Sequence, residues 1–293
     1  MRSHWVLLVV TCTAVAAHAE PLDPKDLKAL TNDPLTAKAD RVDGDEAPGG
    51  LVTFTFDDGP NPETTPAVID ACLKYNIPAT FFVVTQRLTG KRGEVPRQIL
   101  QRLVEAGFLI GSHSVSHANL KSGKPELMKR EIDASLRTLA PQINRPVGMF
   151  RPPFGAFNKN GRAHLKKLGM TEVLWSIDTL DWQAKSADKL RAKVGKMIVK
   201  QNGGVVLMHD VKPITAMIIA DVFDDLEAEN CQRLAEKREP IIPVSIHYFL
   251  KVGKTQRGIP DEVKARTEAY RTALPKRCSS RPPPAAPAVK TGK

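Results

Sequence analysis

The feature that most constrains the fold is a regular alternation of short apolar segments with longer amphipathic ones between residues 51 and 250. The apolar segments are rich in β-branched and aromatic residues and are polar only at their ends. This composition is typical of parallel strands whose sheet is covered on both faces. The sequence therefore predicts seven strands, at Leu51–Phe56, Ala79–Val84, Phe108–Gly111, Val147–Phe150, Glu172–Ser176, Val205–Met208 and Ile241–Ile246.

The amphipathic segments between these strands are predicted to be helices. Several of them open on proline, which suits the first turn of a helix. Seven strands joined by six helical crossovers predict a single α/β domain whose parallel sheet is closed, or nearly closed, into a barrel. The predicted helices are Pro66–Lys74, Pro96–Glu105, Pro125–Leu139, Lys159–Leu168, Ala187–Lys200 and Ile214–Lys237.

Reactive side chains follow five of the seven predicted strands. A parallel barrel gathers its chemistry at the carboxyl ends of its strands, where the loops converge. We therefore expect these side chains to share one site, although they are far apart in the sequence. They are Asp57 and Asp58, His113 and His117, Arg151, Asp178 and Asp181, and His209 and Asp210.

Each of these features alone has an ordinary structural explanation. Two histidines four residues apart are more often satisfied polar residues than metal ligands, and Asp57-Asp58 before Gly59-Pro60 is also a turn sequence. Two adjacent carboxylates nevertheless resist joint ionisation, and a cation bound to one of them relieves that cost. The coincidence of all five motifs with strand ends favours a metal-dependent catalytic site.

In order and residue type, the five motifs resemble those of the polysaccharide deacetylase family, also called the NodB-homology domain or carbohydrate esterase family 4. The resemblance covers roughly Leu51 to Leu250, and none of the five motifs departs from the family pattern. It implies a distorted (β/α)7-type barrel that forms a single catalytic domain. It also implies removal of acetyl groups from a polysaccharide with a divalent metal, usually Zn²⁺, with Co²⁺ or another divalent ion as alternatives.

The resemblance also implies residue roles. Asp58, His113 and His117 would bind the metal and leave a coordination position open, as in catalytic rather than structural zinc sites. Asp57 would be the general base. Arg151 would keep Asp57 ionised and oriented through a charge-assisted contact.

The remaining implied roles concern the oxyanion and the leaving group. The backbone N–H of Phe154 would stabilise the oxyanion, because the two prolines before it have no N–H. His209 would be the general acid, with its pKa raised by a carboxylate. Asp178 is our first choice for that carboxylate, and Asp181 is the alternative. Trp182, Leu207 and Pro153 would contact the substrate, and packing in the core is the alternative for Trp182 and Leu207.

Three functions are compatible with this set. The first is N-deacetylation of an acetylated amino-sugar polymer such as peptidoglycan, a chitin-like polymer or poly-N-acetylglucosamine. The alternative is O-acetyl ester hydrolysis on xylan or a similar glycan. A third hypothesis is an inactive carbohydrate-binding domain, which the completeness of the five motifs disfavours.

The N-terminus predicts export. Residues 1–19 contain Arg2, an apolar stretch too short to anchor the chain in a membrane, and small residues before a cleavage site near Ala19/Glu20. We expect a secreted or periplasmic protein, with residues 20–49 as a linker or arm before the catalytic domain at 50–250.

After cleavage an odd number of cysteines remains, so at least one thiol is free. Cys231 and Cys278 are the one pair for which we consider a disulfide, and Cys72 is expected in a helix core face.

The positive charge of the chain is concentrated at its C-terminus. The net charge is +11, and residues 251–293 carry 11 Lys/Arg against 3 Asp/Glu. We expect this basic, Pro-rich tail to be partly disordered, as a solubilising end or a contact to an anionic envelope surface. A nucleic-acid partner is not expected, because the chain is exported and has no recognition motif. Nothing in the sequence predicts an oligomeric state.

Overall fold

The computed structural model describes residues 25–281, so the predicted signal peptide and residues 282–293 lie outside the described residues. The described part contains a parallel β-sheet with helices packed around it. The strands are β1 (Leu51–Asp57), β2 (Ala79–Val83), β3 (Leu109–Ser112), β4 (Met149–Phe150), β5 (Thr171–Glu172), β6 (Ile177–Asp178), β7 (Gly203–His209), β8 (Ile242–Pro243), and the separate hairpin β9 (Lys251–Val252) and β10 (Thr255–Gln256).

The helices lie close to their predicted positions, with three differences, the first of which is a short helix at Leu27–Thr31 in the N-terminal arm. The helix expected at Pro125–Leu139 contains a π-helical turn at Lys129–Asp133 between two α-helical parts, and a further helix follows β10. The α-helices are α1 (Leu27–Thr31), α2 (Thr65–Tyr75), α3 (Glu94–Glu105), α4 (Pro125–Met128), α5 (Ala134–Ile143), α6 (Lys159–Leu168), α7 (Ala187–Gln201), α8 (Pro213–Ala235) and α9 (Asp261–Ser280).

The sheet curls into a half-barrel, as expected for a distorted (β/α)7-type barrel. Its strand order is β5-β4-β3-β2-β1-β7-β6, all parallel, with β8 paired to the start of β1. The strand predicted at Glu172–Ser176 is not continuous: β5 ends at Glu172 and β6 begins only at Ile177, and these two short strands lie at opposite edges of the sheet. The N-terminal arm covers this break, since the Val42 N–H donates to the Glu172 carbonyl and the Leu174 N–H to the Val42 carbonyl. A backbone that bends here leaves polar groups that the arm satisfies.

The central strands place the polar residues at one edge. β1 and β7 pair in register, so Asp57 and His209 are direct Cα partners, and Asp57 is also in register with Phe82 of β2. Almost every side chain of β1 and β7 is buried, because both faces of the sheet are covered by helices or by the barrel interior. The register therefore brings the ends of β1, β2 and β7 to the same level.

The C-terminal region, expected to be a basic and partly disordered tail, is helical over part of its length. Residues 261–280 form α9, whose Tyr270 and Leu274 are 1% and 2% exposed against α8 and β8. The considered disulfide is confirmed: Cys231 of α8 is bonded to Cys278 of α9, and Cys72 is free and buried. The basic composition predicted a solvated segment, but the few apolar side chains of α9 face the domain, and Arg277 pairs with Glu227 of α8 at 2.9 Å.

Among residues 25–281, no helix combines the length and apolar character required to cross a bilayer.

Candidate active site

Three side chains form a cluster with the chemistry of a cation site. Asp58 follows β1, and His113 and His117 follow β3. The Asp58 Oδ1 atom lies 3.6 Å from His113 Nε2 and 3.4 Å from His117 Nε2, and the ligand atoms of all three residues lie within 4.8 Å of one another. Asp58 Oδ1 is buried and has no hydrogen-bond partner within the described chain. A buried carboxylate oxygen without a donor is costly, so these residues fit a bound cation.

The backbone around these residues is held in uncommon conformations. Asp58, Ser114 and His117 have φ values of 78°, 72° and 60°, which is the left-handed region that non-glycine residues rarely occupy. Hydrogen bonds fix them there: the Asp58 N–H donates to the Phe82 carbonyl and the His117 N–H to Ser114 Oγ. Such conformations persist where the surrounding structure imposes them, as at many functional sites.

His113 is prepared to act as a neutral ligand. Its Nδ1 lies 2.7 Å from the Arg151 carbonyl oxygen, and because a carbonyl can only accept, Nδ1 carries the proton and Nε2 keeps its lone pair. Burial lowers the pKa of His113 to about 3, although the charge of Asp58 opposes this. The ring is therefore neutral, and its Nε2 lies 3.6 Å from both Asp58 Oδ1 and Asp57 Oδ2.

Arg151 is completely buried and holds Asp57 in place. Its Nη1 donates to Asp57 Oδ1 at 2.8 Å and to Thr55 Oγ1 at 2.7 Å. Its Nε and Nη2 donate to the carbonyls of Val173 and Leu174 at 3.2 and 3.0 Å. A buried guanidinium is tolerated when its donors are used in this way. Burial raises the pKa of Asp57, and the positive charge of Arg151 opposes that rise, while the hydrogen bond from Arg151 fixes the carboxylate in place.

The carboxylate that contacts His209 is Asp181 and not Asp178, our first choice. Asp181 Oδ1 lies 2.7 Å from His209 Nδ1, and its Oδ2 accepts the His209 N–H at 2.7 Å and the Thr215 hydroxyl at 2.5 Å. Burial favours neutral His209, but the bond and charge of Asp181, with the two site aspartates, raise the pKa of His209 to about 9. His209 is therefore protonated at neutral pH.

Asp178 bonds to the backbone of its own loop and not to His209, because the chain turns between the two aspartates. It ends β6 opposite Leu207, and its Oδ1 accepts the Leu180 N–H at 3.0 Å. Leu180 has a φ of 55°, so the chain reverses there and directs Asp181 back toward β7. Sequence spacing alone could not distinguish the two aspartates, since both belong to the same loop.

These groups surround one cavity of about 310 Å³. Its walls include Phe154, Trp182 and Leu207, and the first two are 63% and 53% exposed. Exposed aromatic rings beside polar groups suit a sugar ring, which has an apolar face. Pro153, which we expected at the substrate site, is buried and does not line the cavity. Phe154 adopts a left-handed conformation (φ 60°), and its ring packs against His117. The Phe154 ring therefore occupies the cavity wall in place of Pro153.

The backbone N–H of Phe154 donates no hydrogen bond within its own turn. The next two N–H groups, of Gly155 and Ala156, donate to the carbonyls of Pro152 and Pro153 at 3.0 Å each. The Phe154 N–H takes part in neither bond, so this turn does not use the donor that the sequence indicated for an oxyanion.

Some supporting residues were not foreseen from the sequence. Glu131, 2% exposed in the π-helical turn, accepts hydrogen bonds from the Ser116 N–H and the Ser116 hydroxyl, both at 2.9 Å. It thereby braces the loop between His113 and His117. Thr215 similarly braces Asp181. A lone acidic or threonine residue in an amphipathic segment predicts only a solvent-facing position, so no sequence pattern would have identified either one.

Comparison with known proteins agrees with the five motifs. The sequence profile of the family described as polysaccharide deacetylase matches residues 44–173. A chitooligosaccharide deacetylase of Bradyrhizobium sp. is 32% identical over 58% of this chain and 75% of its own length. This chain belongs to the polysaccharide deacetylase family. The resemblance inferred from the motifs is thereby confirmed.

Other members of the polysaccharide deacetylase family extend the comparison. A peptidoglycan-N-acetylglucosamine deacetylase, PgdA, of Listeria monocytogenes is 31% identical over 61% of this chain, which spans about a third (36%) of that relative's length. The structure of a chitin deacetylase from the fungus Colletotrichum lindemuthianum has a TM-score of 0.61 and 20% identity, covering 76% of this chain and 96% of that one. The latter shows that the fold is shared.

Proposed function

We propose that this chain hydrolyses N-acetyl groups of an acetylated amino-sugar polysaccharide. The observation that carries the proposal is the convergence on one cavity of a cation site, a buried Asp–Arg pair and a protonated histidine. Relatives named as peptidoglycan-N-acetylglucosamine and chitooligosaccharide deacetylases support the same substrate class.

Asp58, His113 and His117 would hold a divalent metal, and we propose Zn²⁺. Two imidazoles and one carboxylate are ligands that zinc prefers, and Co²⁺ accepts the same set. When bound, the metal supplies a Lewis acid that polarises the acetyl carbonyl and lowers the pKa of water at the site.

Asp57 takes the proton of the attacking water. Its carboxylate is kept from rotating by the Arg151 contact, so the free oxygen stays directed at the cavity. The guanidinium also disfavours protonation of Asp57 before substrate binds. As the water oxygen attacks the acetyl carbon, charge develops on the carbonyl oxygen, where the Phe154 N–H can donate.

His209 gives its proton to the departing nitrogen. An amine leaves an acyl centre only after protonation, because the amide anion is too basic. Asp181 fixes the proton-bearing Nδ1 and leaves Nε2 as the donor toward the cavity. This pair favours an amide substrate over an ester, whose alkoxide leaves with less assistance.

We also propose that the chain acts outside the cytoplasm, in the periplasm or the medium, after residues 1–19 direct its export and are removed. The Cys231–Cys278 disulfide supports this location, because disulfides persist in oxidising compartments. The catalytic domain would then comprise the barrel from residue 50 to about 250, with α9 fastened to it.

The test is acetate release by the purified protein from N-acetylglucosamine oligomers and from acetylated xylan, measured side by side. We expect release from the oligomers, loss on chelation, and recovery with Zn²⁺ or Co²⁺. Faster release from xylan would instead support the O-acetyl esterase. Glycan binding without acetate release, equal for the parent protein and Asp57→Asn, would establish an inactive binding domain.

A further inference from the structure

A second cavity opens beside the active site. It has a volume of about 560 Å³ and shares Asp58 and His117 with the active-site cavity. Its far wall is the segment after β2, which forms two short 3₁₀ turns at Thr85–Leu88 and Lys91–Gly93. A polymer whose acetylated unit occupies the active site would place an adjoining sugar unit in this second cavity.

The wall of this second cavity is positively charged. Residues 85–97 contain four basic residues and one acidic residue, and both Arg87 and Arg92 line the cavity. Within residues 25–281 neither arginine forms an ion pair with an acidic side chain. The one carboxylate in the lining is Asp58, whose Oδ1 lies against the two histidine rings of the neighbouring cavity. The charge of Arg87 also acts on the buried Asp210, but neither guanidinium is neutralised by a direct ion pair in the described chain, so both attract an anionic ligand.

Arg87 is positioned for such a ligand. Its Nε donates to the Asp58 carbonyl oxygen at 2.5 Å, which anchors the half-buried side chain next to the reactive centre. Its two terminal nitrogens make no hydrogen bond to any other described residue. A planar guanidinium with both terminal nitrogens free matches the two oxygens of a carboxylate.

The loop that carries Arg92 is also held in place. The Arg97 Nη1 donates to the carbonyls of Leu88 and Gly90 at 2.7 and 3.3 Å. These bonds join the start of α3 to the turn before it and so restrain the backbone of the loop that carries Arg92. An ordered site loses less entropy on binding than a mobile one.

We propose that this arginine cavity binds a carboxylate on the sugar unit next to the one that is deacetylated. Arg87 makes the principal contact, and the more exposed Arg92 adds to the local charge. The inference rests on the proposed function and narrows it: the substrate is an acidic glycan, with carboxylate-bearing sugars among the acetylated ones, rather than a neutral polymer.

The test compares two oligosaccharides of equal length. One is a peptide-free chain with a lactyl carboxylate on every second N-acetylated sugar, and the other is the same chain with those carboxylates converted to amides. We expect the parent protein to have a higher kcat/KM, measured by acetate release, on the free acid.

Arg87→Gln should lower the ratio of the two kcat/KM values, acid over amide, about tenfold, which is the effect of losing one charge-assisted hydrogen bond. Arg92→Gln should lower it about threefold, because Arg92 is exposed.

Lys254→Gln is the matched control, since it removes one positive charge on the exposed β9–β10 turn and should not change the ratio. Equal kcat/KM values on acid and amide, unaffected by Arg92→Gln, would overturn the inference while the proposed function stands. Absence of acetate from both substrates and from N-acetylglucosamine oligomers would overturn the proposed function itself. The Arg92 side chain makes no hydrogen bond or ion pair within residues 25–281, so replacing it does not remove a contact that holds the loop. The Arg92→Gln result therefore decides between the outcomes if Arg87→Gln disturbs Asp58.

Discussion

Asp181→Asn should move the alkaline limb of the pH–rate profile. Asp181 contributes to raising the pKa of His209 from an ordinary 6.5 to about 9, a preference for the protonated ring of about 3 kcal/mol. An asparagine keeps the shape and an oxygen acceptor but removes the negative charge, so we expect the pKa of His209 to fall by about two units. His209 would then lose its proton near neutral pH.

The consequence for turnover depends on pH. At pH 8 the protonated fraction of His209 would fall from about 0.9 to about 0.1, so kcat on an N-acetyl substrate should fall about tenfold. At pH 6 the ring is protonated in both proteins, so their rates should be similar. The assay is kcat from acetate release between pH 5 and pH 10, supported by NMR titration of the His209 ring.

Asp178→Asn is the matched control, because Asp178 lies in the same loop and its carboxylate, within residues 25–281, accepts a hydrogen bond from the Leu180 N–H and not from His209. Its alkaline limb should coincide with that of the parent protein. A limb that stays near pH 9 in Asp181→Asn, or that moves equally in Asp178→Asn, would refute the assignment of Asp181 as the residue that tunes the acid.

Four further outcomes are expected. His117→Ala should abolish stoichiometric zinc binding measured by metal analysis, whereas Asp57→Asn should retain the zinc and lower kcat by about 10²–10⁴-fold. Glu131→Gln should weaken zinc affinity about tenfold in a chelator-competition titration, because it loosens the loop that carries both histidines; the exposed Glu126→Gln should have no effect. Cys278→Ser should lower the free energy of unfolding by about 2–4 kcal/mol in urea titrations, since the disulfide closes a loop between residues 47 positions apart.

The sequence predicted the strands that carry the site but not the bend between β5 and β6. Continuous apolar character at Glu172–Ser176 predicts one buried strand, whereas the chain here crosses from one sheet edge to the other. The arm at Val42 makes this possible by accepting and donating the backbone hydrogen bonds at the break. A contact between residues 130 positions apart leaves no local pattern, so periodicity could not reveal it.

The amino-acid composition of the C-terminal region did not predict its helix, again because the residues that hold the helix in place are distant in the sequence. Eleven basic residues in 251–293 indicate a solvated tail, yet Tyr270 and Leu274 of α9 are buried against the domain, and the disulfide and the Arg277–Glu227 ion pair join α9 to α8. A high density of charged residues predicts that a segment is solvent-exposed. Whether the segment folds against the domain depends on its few buried side chains.

The sequence by itself determined the fold class and the reactive residue types, because strand periodicity and the placement of polar residues at strand ends are local properties of the chain. Tertiary structure alone decided which carboxylate serves His209, that Glu131 braces the histidine loop, and that Arg87 stands beside Asp58. Those relations depend on how turns reverse and how distant loops meet. Hydrogen bonding acts over about 3 Å in space, whatever the separation of its partners along the chain.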